Sequence, residues 1–215
     1  MKLYCFPPSH HSWRVLTTIA FLKAKVDVQI VNLLKGEHKV PEIQKHNITG
    51  RLPILVDGDL SLWESNAIMQ YLADKFGPTS LYPQDIRKRA DVNRWLSWQM
   101  CHLAPPTSTF LFQNMLKAML DMGEPDQAKL EEAAENFKNC AVALDRHLQE
   151  HRFVCGDDIT LADISIASCV AYAEPAKMPW SSYDNLQAWF RRIAQTEAWR
   201  ESEPQFDPTE IAAAS

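Results

Sequence analysis

The sequence predicts two unlike halves: a mixed α/β half with a four-stranded sheet over residues 1–76, a linker over 77–83, and an all-helical half over 84–215. Three observations carry this reading. Up to Phe76 the apolar period switches repeatedly between about 2 and about 3.6, the mark of alternating strands and helices. Gly77-Pro78-Thr79-Ser80 and Pro83 then interrupt regular structure, as a linker does. Beyond them only helical spacing recurs.

In the first half, Lys2–Phe6 reads as a strand, Trp13–Lys23 as an amphipathic helix and Val26–Leu33 as a second strand, which a right-handed helical crossover makes parallel to the first. Ile54–Val56 and Ser61–Leu62 flank Asp57-Gly58-Asp59, a tight-turn signal that makes the last two strands antiparallel. Ser65–Phe76 closes the unit as a helix. In the second half, Val92, Trp95, Leu96, Gln99 and Leu103 keep helical spacing. So do Leu130, Ala133, Ala134, Phe137, Cys140, Ala141, Leu144 and Leu148, a stripe too short for a sustained coiled coil. Thr160-Leu161-Ala162-Asp163 opens a further helix as a capping box. A last helix begins at Asp184 or Asn185 and carries Leu186, Trp189, Phe190 and Ile193. No internal repeat or low-complexity tract is present apart from the Ala-rich end.

Composition narrows the function. Hydrophobic residues are 46% and charged residues 23% of the 215, which excludes disordered and collagen-like classes. No run approaches the ~18 to 20 apolar residues of a membrane-spanning helix, and the N-terminus reads as strand rather than signal peptide, so a cytoplasmic address is expected. Five scattered cysteines without a Cys-x-x-Cys pair are read as unpaired core thiols, with no metal site. A net charge of -5 without a Lys/Arg cluster argues against nucleic acid. Residues 1–76 nevertheless hold 9 Lys or Arg against 7 Asp or Glu, whereas the whole chain holds 22 against 27, so the first half tolerates an anionic ligand better.

The motifs fall in order along the chain: Pro7-Pro8-Ser9-His10-His11-Ser12-Trp13-Arg14-Val15, Gly36-Glu37-His38-Lys39-Val40-Pro41-Glu42, Gly50-Arg51-Leu52-Pro53, Asp57-Gly58, Trp63-Glu64-Ser65-Asn66-Ala67-Ile68 and Thr160–Ile164. With this order and spacing the chain resembles, over essentially its whole length, a cytosolic glutathione transferase of the serine-type branch (phi, theta, delta). The resemblance implies a thioredoxin-like first domain, a helical second domain, glutathione as co-substrate with no tightly bound cofactor, a small apolar electrophile, and a homodimer.

Residue by residue, the resemblance also implies a site. Leu52-Pro53 is an X-Pro bond, where cis costs only about 0.5 to 1 kcal/mol; a cis turn there offers the Leu52 backbone to a peptide ligand as an added strand does, and a trans proline entering the strand is the alternative. Glu64-Ser65 at a helix start supplies an anion site for the γ-glutamyl carboxylate, or is an ordinary Ser cap. His38, Lys39 and Arg51 suit the glycyl carboxylate. Ser9 is the candidate for the thiol. A thiol with pKa ~8.5 is only ~3% ionised at pH 7, and a hydroxyl donating to the sulfur at a helix end favours the thiolate. Ser12 is its rival, though directly before the helical pattern it also reads as the N-cap. Tyr4 lies mid-strand and no Cys occupies residues 7–13, so the tyrosine and cysteine versions of the family fit less well. His10, His11, Trp98, Cys101, His102, Pro105, Pro106 and Phe110 are expected to wall the second-substrate pocket. Asn47-Ile48 stands where the family often has Asn-Pro, which is expected to loosen that loop. Reduction of disulfides or peroxides with glutathione, and a non-catalytic binding module, are the competing functions.

Overall fold

The computed structural model describes residues 1–204; the Ala-rich end lies outside the described residues. Two compact units are present, one formed by the chain through Tyr82 together with the segment from Glu197, the other by Pro83–Thr196.

In the first unit, β1 (Lys2–Cys5), α1 (His10–Leu22) and β2 (Asp27–Ile30) form the crossover, with Lys2 opposite Asp27 and Cys5 opposite Ile30 in parallel register. A short helix α2 (Pro41–Gln44) follows, then β3 (Ile54–Asp57) and β4 (Leu60–Trp63) as an antiparallel hairpin, and α3 (Ser65–Phe76). The sheet order is β2-β1-β3-β4, with β1 and β3 antiparallel, as the four-stranded mixed sheet requires. Alternation places Leu3 and Cys5 inside; they, Leu55, Val15, Ile68, Met69 and Leu72 are all sealed from water. Each such side chain contributes about 1.5 to 3 kcal/mol.

Two boundaries differ from the sequence expectation by three residues, each for a local reason. α1 begins three residues before Trp13, because the Ser9 carbonyl already accepts the Trp13 N–H at 2.8 Å. β2 stops at Ile30, because the Asn32 side chain accepts the N–H groups of Leu34 (2.9 Å) and Lys35 (3.1 Å) and turns the chain. The hairpin turns through Gly58 at φ +62. Its Asp57 carboxylate receives the Tyr71 hydroxyl at 2.6 Å and pairs with Lys75, fastening the turn to α3.

The second unit consists of helices: α4 (Ile86–Trp98), α5 (Ala104–Leu111), α6 (Lys117–Met119), α7 (Gln127–Glu150), α8 (Leu161–Val170) and α9 (Asp184–Ala194). Asp85 and Asp126 cap α4 and α7. Between α4 and α5 the helix widens into a π turn over Gln99–Leu103. Pro105 and Pro106 follow and have no N–H to return to residues 101 and 102, so the ladder must adjust there. On α7 the buried face is Ala133, Phe137, Cys140, Ala141, Leu144 and Leu148, six positions of the predicted stripe.

The capping box at α8 is complete. Asp163, fully buried, accepts the Thr160 N–H and hydroxyl (both 2.9 Å), the Val154 N–H (2.8 Å) and the Trp189 indole N–H (2.9 Å). Burial lifts its pKa above the ordinary carboxylate value while those four donors oppose the rise. Three short helices escaped the sequence reading, α2, α6 and α10 (Glu197–Ser202); α10 packs in the first unit, with Trp199 on Trp13 at 4.6 Å between ring centroids and the Ser202 hydroxyl 2.7 Å from that of Thr17. Among the described residues no helix is long and apolar enough to cross a membrane.

Candidate active site

Two helix N-termini and one loop frame the site. The Leu52–Pro53 peptide bond is cis, so of the two isomers open to the sequence the structure takes the cis form. The loop before it is held by Asn47, 3% exposed, whose amide donates to the Arg51 carbonyl at 2.7 Å while its oxygen accepts the Thr49 N–H and hydroxyl at 2.8 Å each. Gly50, at φ +65, supplies the left-handed residue that lets the loop close. With Asn47 bonded in this way the loop is firmly held, although Ile48 replaces the expected proline; Ile48 itself is 93% exposed.

α3 starts beside this loop. Glu64 at its N-cap position has φ +71, a conformation that costs a residue with a side chain of order 1 to 3 kcal/mol and that clusters where ligands are held. Its carboxylate makes no capping bond, and the first turn carries no acid of its own. The helix end is therefore positive and open. Ser65 and Asn66 are buried there, and Asn66 receives Arg14, itself 1% exposed, at 3.3 Å. That bond joins α1 to the first turn of α3.

A cleft of about 110 Å³ opens at this point, lined by His11, Asn47, Thr49, Arg51, Leu52, Pro53, Glu64 and Ser65. Five of the seven residues expected to bind glutathione thus converge. His38 and Lys39 lie on a 3-10 turn (Glu37–Lys39) and are not among its walls; Lys39 is exposed, and His38 is half-buried with its Nδ1 lacking a hydrogen-bond partner. His11, expected beside a second substrate, lines this same cleft. Asn47 and Thr49 also line it without having been singled out; their signal was the turn-forming Asn-x-Thr-Gly run itself.

At the start of α1 the N-cap position expected for Ser12 is held by Ser9. Ser9 is the N-cap residue in extended conformation, and its hydroxyl makes no capping bond. Ser12 lies inside the first turn, 0% exposed, and its hydroxyl accepts the Phe6 N–H at 3.2 Å. Beyond Ser9, His10 and His11 lie ring to ring, 4.0 Å between centroids. Burial, then the charges of His11 and Arg14, hold the His10 pKa well below its ordinary value; burial, then Arg14 and Arg51, hold that of His11 down to about 3. Both rings are neutral at pH 7. No protein thiol competes at this end of the sheet, since burial pushes Cys5 up to about 12.

Of the remaining wall candidates, Phe110 and Pro106 are buried in the helical unit, Phe110 edge-on to Phe137 at 6.3 Å. Trp98 is half-buried with its ring across Trp95 at 5.2 Å, whereas Cys101, His102 and Pro105 are exposed.

Sheet order and cis-proline loop together define a thioredoxin-like domain, followed by a helical unit. Residues 1–74 match the family model of the glutathione S-transferase N-terminal domain, and residues 127–192 that of the C-terminal domain. The chain is 33% identical over 195 residues to the probable glutathione S-transferase GSTF2 of Oryza sativa subsp. japonica, covering 88% of this chain and 89% of that protein. Glutathione transferase F2 of Populus trichocarpa superposes with a TM-score of 0.87 at 26% identity, covering 100% and 99% of the two chains. A delta-class glutathione transferase of Nilaparvata lugens does so with a TM-score of 0.82 at 30% identity, covering 100% and 99%. The chain belongs to the glutathione S-transferase family and is a glutathione transferase of the serine-type branch.

Proposed function

We propose that the enzyme seats reduced glutathione in the cleft at the start of α3 and activates its thiol with the Ser9 hydroxyl. The γ-glutamyl carboxylate is taken by Ser65 and the open helix end, the cysteinyl backbone pairs with Leu52 beside the cis proline, and Arg51, with His38 and Lys39 of the Glu37–Lys39 turn, attracts the glycyl carboxylate. The observation that carries the assignment of Ser9 is the division of labour between the two serines: Ser12 is sealed from solvent with its oxygen accepting the Phe6 N–H, whereas Ser9 is half-buried at the positive end of α1 and makes no capping bond. A hydroxyl donating to sulfur, added to the helix-end field, favours thiolate over thiol. The thiolate then attacks an apolar electrophile by substitution or addition; Trp98, Cys101, His102 and Pro105 are the second-substrate residues of the helical unit, with Pro106 and Phe110 buried behind them in that unit. Residues 1–76 serve glutathione binding, 77–83 link, and the helical half serves the second substrate. The working form is a homodimer in the cytoplasm that removes reactive electrophiles, and no tightly bound cofactor is needed.

Thiolate absorbance of the glutathione complex, titrated against pH, tests the mechanism. Ser9→Ala is expected to raise the pKa of the bound thiol by about one to two units, a loss of about 1.4 to 2.7 kcal/mol from the charged form, with glutathione affinity nearly unchanged. Should Ser12→Ala abolish the thiolate while Ser9→Ala does not, the serine roles reverse. Sedimentation at micromolar concentration that gives a single chain's mass would reject the dimer.

A further inference from the structure

The residue in the cleft that the function above leaves without a task is His11. It stands on the second residue of α1, yet its ring forms one wall of the same cleft as Arg51, Glu64 and Ser65, more than 50 positions later in the sequence for the last two. Among the described residues its interactions are the ring contact with His10 and the charges of Arg14 and Arg51, and none is a hydrogen bond to either ring nitrogen. A half-buried imidazole in the same cleft as the uncapped start of α3, with no hydrogen bond to its ring nitrogens among the described residues, is placed to be completed by a ligand.

We propose that His11 is a glutathione-binding residue, donating a ring N–H to the γ-glutamyl carboxylate that Ser65 holds at the start of α3. This rests on the cleft's assignment to glutathione. The donor is available across the working pH range, because burial and the two neighbouring guanidiniums keep the ring neutral and a neutral imidazole carries one N–H and one lone pair. Arg51 and Arg14 make the surroundings positive, and Glu64 is the single carboxylate on the cleft wall, so an incoming carboxylate is the complement the ring lacks. The packing of His10 against His11 restricts the ring, so little side-chain entropy remains to be lost on binding. His11 thereby becomes a positioning contact at the γ-glutamyl end, not a base for the thiol, whose activation stays with Ser9.

Calorimetric titration of the full chain with glutathione, and with glutathione esterified on its glycyl carboxylate, tests this. His11→Leu is expected to weaken both ligands about tenfold, and His11→Gln, which keeps an N–H at similar reach, to recover to within about threefold of the natural protein. A melting midpoint shared by the two variants shows that the fold is intact. Equal binding by His11→Leu and the natural protein overturns the inference. So does a loss that vanishes with the glycyl ester, which would put His11 on the other carboxylate, or a Gln variant no better than Leu, which would make the role one of shape. Failure of the natural protein itself to bind glutathione is a separate result: it removes the assignment of the cleft and this inference with it.

Discussion

Two helix starts in this chain are built in opposite ways. At α8 every bond is closed: Thr160 and Asp163 cap each other, and Asp163 also accepts from Val154 and from Trp189 on α9. At α1 and α3 the N-cap residues, Ser9 and Glu64, make no side-chain cap, and Glu64 sits at an unfavourable φ. A closed helix end spends its hydrogen-bonding groups on stability. An open one leaves orphan N–H groups and a positive field for something that is not protein. The same chemistry, a polar side chain at a helix start, therefore serves folding in one unit and, in the proposed function, substrate in the other.

The largest effect expected from breaking this contrast is at the closed end. Asp163→Ala deserts four buried donors at once, and each unsatisfied group costs about 1 to 3 kcal/mol, so a loss of at least about 3 kcal/mol is expected in denaturant unfolding. That exceeds the loss from an ordinary cap. Asp163→Asn, which keeps one acceptor oxygen, should fall between. Glutathione affinity, measured where the variant is still folded, should stay put; a loss below about 1 kcal/mol would mean that the box is ornamental.

Next in size is a pH effect at the open end of α1. The His11 pKa in the folded chain, about 3, is below the unfolded value, so the unfolded chain binds more protons at any pH between them. The stabilising effect of a neutral ring is thus whole above pH ~6.5 and declines as pH falls through that value towards 3. Between pH 7.5 and 5 the free protein should lose about 2 kcal/mol through His11 alone, and His11→Gln should remove that part of the slope. His10, shifted in the same direction, adds to the loss. Parallel stability curves for His11→Gln and the natural protein would show that the ring titrates as it does in water.

How much of this was legible in the sequence follows from the range of each interaction. The period switch, the Asp57-Gly58 turn and the Thr160–Asp163 box are local, and all three appear where the residues put them. Leu52-Pro53 left two isomers open, which only the folded loop decides. The start of α1 was displaced because His10-His11 shows no apolar period, although a helix needs none in a first turn whose side chains face a cleft. α10 was missed because six residues are too few for a period; Trp199 earns its place by meeting Trp13, 186 positions earlier. The place of His11 in the cleft wall was illegible for the same reason: nothing near it in sequence shows that Arg51 and Ser65 will line the same cleft.

A smaller effect tests the loop that makes the open end useful. Asn47→Ala removes three hydrogen bonds around Arg51 and Thr49 and is expected to cost about 1 to 2 kcal/mol of stability. Because the same bonds fix the Arg51 carbonyl and the approach to Leu52, glutathione affinity should fall too, in contrast to Asp163→Ala. Stability lost without affinity would detach this loop from the site.

The smallest stability effect is expected at Ser9, and it is the sharpest comparison of all. A serine that caps a helix costs about 0.5 to 2 kcal/mol when changed to alanine, but Ser9 makes no capping bond, so Ser9→Ala should change the unfolding free energy by less than about 0.5 kcal/mol. Ser12→Ala, three residues on, should cost about 1 kcal/mol, because its buried hydroxyl is the acceptor for the Phe6 N–H. Thiolate formation should respond in the opposite order, failing in Ser9→Ala and persisting in Ser12→Ala. The two serines thus separate a hydroxyl kept for the protein from one kept for the substrate. If Ser9→Ala destabilised the fold as much as Ser12→Ala did, Ser9 would be a cap in solution, and the start of α1 would join α8 as a closed end.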